Sequence, residues 1–256
     1  MLKWVTKHRA STLAAAGSSA AQLCSSQIVR EGLLTKTIAY IYTDFPQKFG
    51  IPRQSGLIEE LTGHIVFEPE YRSADAVRGL EGFDYIWLLW KFEGTQRPHP
   101  SPTVMPPRLG GKTAMGVFAT RSPFRPNPIG LSSVRLREIN LTNKGPVLHV
   151  SGADLRNKTP IYDIKPYLPY TDSHPDARDG FASAGAAHRL RVSFPPALLA
   201  AFPPEKQSAA LALLAQDPRP AYQHDGRIYG VAFAGHNIRF TVQDDCLTVL
   251  EVTPFP

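Results

Sequence analysis

The chain has 256 residues, 43% hydrophobic and 20% charged, the profile of one large or two small globular domains with a sizeable core. No apolar run approaches the roughly 18 residues of a membrane-spanning helix, so no membrane segment is expected. The net charge of +6 is uneven: residues 1–30 carry Lys3, Lys7, Arg9 and Arg30 and no acid, which leaves 24 basic against 22 acidic side chains elsewhere, so affinity for a polyanion has to come from a local patch.

In chain order, residues 1–34 form an extension rich in Ala and Ser. Its composition fits an organelle transit peptide, but a disordered extension or a start upstream of the true one is favoured. A cytoplasmic location is expected, with organelle targeting as the alternative. From residue 35 the pattern becomes strand-like: 38–42, 56–67, 83–92, 115–120, 131–139 and 147–153 alternate polar with apolar residues or are β-branched and aromatic, and Gly and Pro clusters separate them. A short helix is expected over 73–78. Strands at this spacing point to an antiparallel barrel or sandwich and away from a parallel βαβ sheet. After about residue 170 a loop rich in Asp, Ser, Gly and Ala precedes a strand at 188–194, a helix at 205–215 and strands at 227–233, 237–242 and 246–252. The expected fold is therefore mainly β, with a domain over 35–170 and a smaller α+β domain over 171–256.

Several chemistries are excluded. Cys24 and Cys246 form no CxxC, and the eight histidines show no ligand spacing, so no metal is expected. Gly110-Gly111-Lys112-Thr113 is not a phosphate loop, because Pro106 stands where the pattern needs Gly. No GxGxxG follows a strand, so a nucleotide cofactor would need an unusual pocket.

Two features remain. Residues 95–137 contain no Asp or Glu but hold Arg97, Arg108, Lys112, Arg121, Arg125, Arg135 and Arg137, a candidate polyanion surface. Within that window, residues 115–131 lead from a strand through Arg121, Pro123, Arg125, Pro126, Asn127 and Pro128 into another strand. Three prolines in six residues stiffen the backbone, and a rigid loop with two arginines and an asparagine can position ligand groups. A structural connector is equally compatible with local physics.

The 115–131 segment closely resembles the signature of the TsaA-like family, the tRNA adenine N6-methyltransferases acting on threonylcarbamoyl-adenosine. The blocks at 52–54, 74–81, 106–111, 163–169 and 217–222 agree in order and spacing, and the likeness spans 35–256. The resemblance implies a single-sheet antiparallel β-barrel, S-adenosyl-L-methionine (SAM) as cofactor, tRNA as substrate and a homodimer. It also implies SAM contacts at Pro52, Arg53 and Gln54, at Glu93 and Gly94, at Arg121 and Leu131, and at Gly152, Ala153, Asp154 and Leu155. Glu93 departs from the family pattern, where His is frequent. A contact there through the backbone survives that change; one through an imidazole does not.

The residue types suit methyl transfer, which mainly requires donor and acceptor to be held close and aligned. Arg53 and Arg121 suit carboxylates or phosphates, which their planar forks meet bidentately. Asp163, Lys165 and Tyr167 are the catalytic candidates. Asp163 could take the proton of the acceptor nitrogen, and Tyr167 could stack on the base; the alternative is a structural Asp163–Lys165 pair. The block at 217–222 is either an acceptor-pocket wall, a tRNA contact or a helix stop. The alternative function is a non-enzymatic RNA-binding barrel, though the sequence lacks the interleaved aromatic and basic residues of a stacking face.

Overall fold

A computed structural model describes residues 35–94, 99, 101–106, 109–182, 189–219 and 226–256. The 1–34 extension, Arg97, Arg108 and residues 220–222 of the 217–222 block lie outside the described residues.

Six strands close a barrel in the order β1 (Ala39–Thr43), β2 (Thr62–Phe67), β7 (Gly145–Ser151), β6 (Ile129–Thr142), β3 (Tyr85–Lys91) and β8 (Thr159–Pro166), and β8 pairs back onto β1. Every pairing is antiparallel. The two-residue period of a strand sorts side chains inward and outward. In β3, Ile86, Leu88 and Trp90 point into the core, while Tyr85, Trp87, Leu89 and Lys91 point out. In β6, Gly130, Ser132, Val134 and Leu136 face inward. A short hairpin of β4 (Thr103–Val104) and β5 (Met115–Gly116) stands apart from the barrel sheet.

Beyond β8, helix α1 (Pro169–Asp172) is fastened to the barrel wall: the Asp172 carboxylate accepts from Trp87 Nε1 at 2.8 Å and from the Leu168 N–H at 3.0 Å. A second sheet follows, ordered β10 (Tyr229–Phe233), β11 (His236–Gln243), β12 (Cys246–Pro254) and β9 (Arg191–Ser193). Its last pair is parallel. Helices α2 (Pro196–Leu199) and α3 (Pro204–Ala215) lie between β9 and β10 in sequence. Ala209, Ala210, Leu213 and Leu214 of α3 are buried with Phe202, Val231, Phe233 and Phe240 in one core. Phe45, Ile58 and Leu61, from the connection between β1 and β2, belong to that same core rather than to the barrel interior.

Three expectations are revised. Strand β2 begins only at Thr62, because Ile58 and Leu61 cover the second sheet's core instead of pairing. The strand expected over 115–120 stops at Gly116 and tightens into a 3₁₀ turn, Val117–Ala119. The short helix expected over 73–78 is present as a 3₁₀ helix, Ala74–Val77. Strand β8, absent from the expected set, closes the barrel.

Gly130 shows how tightly that interior is filled. A Cβ at this position would lie 2.2 Å from the Trp90 ring. Gly130→Ala is expected to cost about 1–3 kcal/mol through overpacking, read as a lower midpoint in urea at unchanged slope; an unchanged midpoint would show that the indole has room to move.

Candidate active site at the barrel mouth

Because all pairings are antiparallel, the ends of β1, β3 and β7 and the starts of β2, β6 and β8 share one mouth of the barrel. Four segments meet there: the 44–61 connection, residues 92–94 after β3, the 117–128 loop before β6, and residues 152–158 between β7 and β8. The 117–128 loop is tied down where it enters β6, since the Phe92 N–H donates to the Pro128 carbonyl at 2.8 Å.

The segments are pinned to one another. The Ser133 N–H donates to Ser55 Oγ at 3.1 Å, and the Gly56 N–H donates to the Gly152 carbonyl at 2.9 Å. Gly152 has a positive φ of 76°, and a Cβ there would sit 3.2 Å from Gly56 Cα, so this close crossing of backbones favours glycine. The Arg121 guanidinium donates to Gln54 Oε1, and Gln54 Nε2 donates to the Arg53 carbonyl. Arg125 is fixed on the Thr120 carbonyl at 3.0 Å. Glu93 is engaged twice: its carboxylate pairs with Arg156, and its carbonyl accepts from Lys48 Nζ.

Asp154 is the most perturbed group of the mouth. Its carboxylate accepts from Ser132 Oγ at 2.6 Å, and Ser132 Oγ accepts from Trp90 Nε1 at 3.0 Å. Loss of hydration pushes the Asp154 pKa up from 3.8 to about 6, against the opposing pull of the Ser132 hydrogen bond, its own N–H, the Arg121 charge and the Ser55 N–H. A carboxyl with a raised folded-state pKa favours folding below its unfolded value, and that contribution is lost as pH rises through the folded value, here between about 3.8 and 6. Above that window the ionised Asp154 costs stability, which marks it as a functional candidate. Asp154→Asn keeps an acceptor for Ser132. It is expected to melt above the unaltered protein at pH 7.5, with the difference vanishing near pH 4; a lower melting temperature at pH 7.5 would make the carboxylate a structural group.

The mouth gathers most of the sequence-predicted positions: Pro52, Arg53, Gln54, Glu93, Gly94, Arg121, Gly152, Ala153, Asp154 and Leu155. Ala153 and Leu155 bury their side chains and so offer backbone atoms. Leu131 points outward, 51% exposed, in register with Leu89, which is in turn in register with Asp163. These three side chains share the outer face, Asp163 roughly 10 Å from Leu131 at two strand spacings. Asp163 pairs with Lys165 at 2.9 Å and accepts from the Ile164 N–H. Tyr167 is not brought to the mouth. Its ring lies 5.6 Å from Trp87 and 6.2 Å from Tyr85, and Tyr85 stands six residues down β3 from Lys91, roughly 20 Å away.

The acid-free window is less open than its composition implies. Glu59, outside the window in sequence, pairs with Arg135 at 2.9 Å and with Arg137 at 3.2 Å. Sequence reasoning also missed Ser55, Ser132, Trp90, Lys48 and Arg156. Only Ser132 left a trace, as a polar residue at a core position of an alternating strand. Among the described residues, no group of three or more His, Cys, Asp or Glu side chains could hold a metal, and no helix is long and apolar enough to cross a membrane.

Comparison with known proteins adds a family to this geometry. Residues 40–173 match the tRNA-methyltransferase O N-terminal domain, and residues 187–255 match the TrmO C-terminal domain. The tRNA (adenine(37)-N6)-methyltransferase of Escherichia coli (strain K12) is 42% identical over 232 residues, 85% of this chain and 96% of that protein. A putative S-adenosylmethionine-dependent methyltransferase of Pseudomonas aeruginosa is 39% identical over 84% of this chain and 95% of its own length. The crystal structure of TrmO from Pseudomonas aeruginosa superposes with a TM-score of 0.69 at 32% identity, covering 86% of this chain and 97% of that one. With both domains matched in order and the barrel shared, the chain belongs to the tRNA-methyltransferase O family.

Proposed function

We propose that this protein is a SAM-dependent tRNA methyltransferase that transfers a methyl group to N6 of threonylcarbamoyl-adenosine beside the anticodon. The observation that supports this most is the mouth itself: Arg121 and Asp154 lie within electrostatic reach, yet Arg121 is spent on the neutral Gln54 amide and Asp154 on the Ser132 hydroxyl. A cation and an anion not paired with each other fit the zwitterionic end of an amino acid, which SAM carries.

When bound, SAM supplies an electrophilic methyl group on a sulfonium. The protein's work is to bind, orient and move one proton. Pro52, Arg53, Gln54, Glu93, Gly94, Arg121, Leu131 and residues 152–155 hold the cofactor in this reading. Methylation of N6 releases its proton, and Asp163 is the proposed acceptor, with Lys165 paired beside it. Tyr167, with Tyr85 and Trp87, contacts tRNA away from the reacting nitrogen. The protein acts as a homodimer in this reading. The 35–170 and 171–256 segments act as a cofactor domain and an accessory domain, and the cytoplasm is its place of action.

The decisive experiment incubates the purified protein with SAM and tRNA bearing threonylcarbamoyl-adenosine, followed by nucleoside mass spectrometry. A gain of one methyl group on that nucleoside is expected. Binding of the tRNA without any methylated product would favour the RNA-binding barrel instead.

A further inference from the structure

We propose that Ser132 is a positioning residue: held between Trp90 and Asp154, its hydroxyl keeps the Asp154 carboxylate an acceptor aimed at the ammonium of the cofactor's amino-acid end. The inference rests on the SAM reading above and deepens it.

The direction of the relay follows from donor chemistry. An indole Nε1 only donates, so the 3.0 Å contact from Trp90 occupies a lone pair of Ser132 Oγ. The single hydroxyl proton is then free to point along the 2.6 Å contact to Asp154. Rotation is restricted because Ser132 is 1% exposed and Trp90 9% exposed, and Gly130 lies directly against the indole. A hydroxyl committed as donor favours an ionised carboxylate over a protonated one.

The remaining groups facing Asp154 act in the same sense. These are the Arg121 charge, the Ser55 N–H from the 44–61 connection and its own N–H, and all three lower its pKa. Arg121 is the charged side chain among them, and its guanidinium is turned to Gln54. These contacts oppose the burial that raises the Asp154 pKa to about 6, so at neutral pH Asp154 is anionic beside a guanidinium that is bonded elsewhere. A ligand ammonium completes the pairing, while Arg121 is left for the ligand's carboxylate.

Calorimetry with S-adenosylhomocysteine, which carries the same amino-acid end, and with methylthioadenosine, which lacks it, tests this on the full-length protein between pH 5 and 8.5. For S-adenosylhomocysteine the affinity is expected to fall on both sides. The acid limb follows Asp154 near pH 6, and the alkaline limb follows the ligand's amino group at about 7.7–8.0. Ser132→Ala should move only the acid limb upward, by on the order of one to two pH units, the equivalent of one charge-assisted hydrogen bond. Ser132→Thr should restore it, and Trp90→Phe should move it part of the way. Asp154→Asn should remove the acid limb and weaken S-adenosylhomocysteine while leaving methylthioadenosine unchanged.

Three outcomes overturn the proposal. One is a Ser132→Ala variant that loses affinity equally at every pH, which a merely structural role would give. Another is an equal loss for methylthioadenosine in Asp154→Asn, which would assign the carboxylate to the nucleoside end. The third is unchanged binding in both variants. In all three the unaltered protein still binds S-adenosylhomocysteine, whereas its failure to bind either nucleoside would remove the SAM reading itself.

Discussion

Arg121→Ala is expected to lose most methyl transfer while the fold persists. Arg121 leaves the short turn Val117–Ala119 and enters a loop stiffened by Pro123, Pro126 and Pro128, so its backbone is ordered before any ligand arrives. A fixed backbone lets a guanidinium meet a carboxylate with little further ordering cost. Its contact with Gln54 also orients the fork. Removing a charge-assisted bond costs about 1.5–3 kcal/mol, or roughly ten- to a hundred-fold. Arg121→Lys should rescue poorly, because an ammonium has no planar fork. Single-turnover methylation, with SAM affinity measured in parallel, separates the two roles open to this side chain. Normal affinity with failed transfer would assign Arg121 to the acceptor. If both are unchanged, the mouth is not the site.

Phe45→Ala should have the largest effect on stability. Phe45 follows β1 in sequence, is 1% exposed, and sets its ring 5.4 Å from Phe233 in the core of the second sheet. Its carbonyl also accepts from the Asn157 N–H at 2.8 Å, so it sits where the 44–61 and 152–158 segments meet. Truncating a buried phenylalanine costs about 3–5 kcal/mol, which corresponds to a fall in melting temperature of roughly 6–20 °C for a chain of this size. Phe45→Leu should recover more than half of the loss. A change of 1 °C or less in the Ala variant would mean that the second sheet closes its core without this residue.

The parts of the fold legible in the sequence were those whose burial follows a simple period. Strands β1 and β3 bury every second side chain, β10 to β12 are rich in β-branched and aromatic residues, and α3 carries a continuous apolar run over residues 209–215. Strand β8 escaped because Pro160 and Pro166 argue against a strand. They are tolerated because they lie next to its first residue and at its end, where few ladder bonds are lost. Residues 56–61 misled in the opposite direction: Leu57, Ile58 and Leu61 lead directly into the apolar positions of β2, but the surface that Ile58 and Leu61 cover belongs to a sheet built almost entirely from residues after 189. The site was legible only through resemblance. Gln54 and Arg121 are 67 residues apart, Trp90 and Ser132 are 42 apart, and Ser132 and Asp154 are 22 apart. Contacts at such separations are set by barrel register, and one sequence carries no signal for them.

The 44–61 connection has a consequence for inheritance. Its Phe45, Ile58 and Leu61 are core residues of the second sheet, while its Gln54 and Ser55 are bonded to Arg121 and Ser133 at the barrel mouth. One short stretch of chain thus answers to two partners, and neither half can be swapped as a clean module at the border near residue 170. A chimera joining this barrel to a relative's C-terminal half has to match the donor at residues 45, 58 and 61 as well. Without that match the foreign sheet would receive the wrong plug, and the penalty would be felt first by the backbone that carries Gln54.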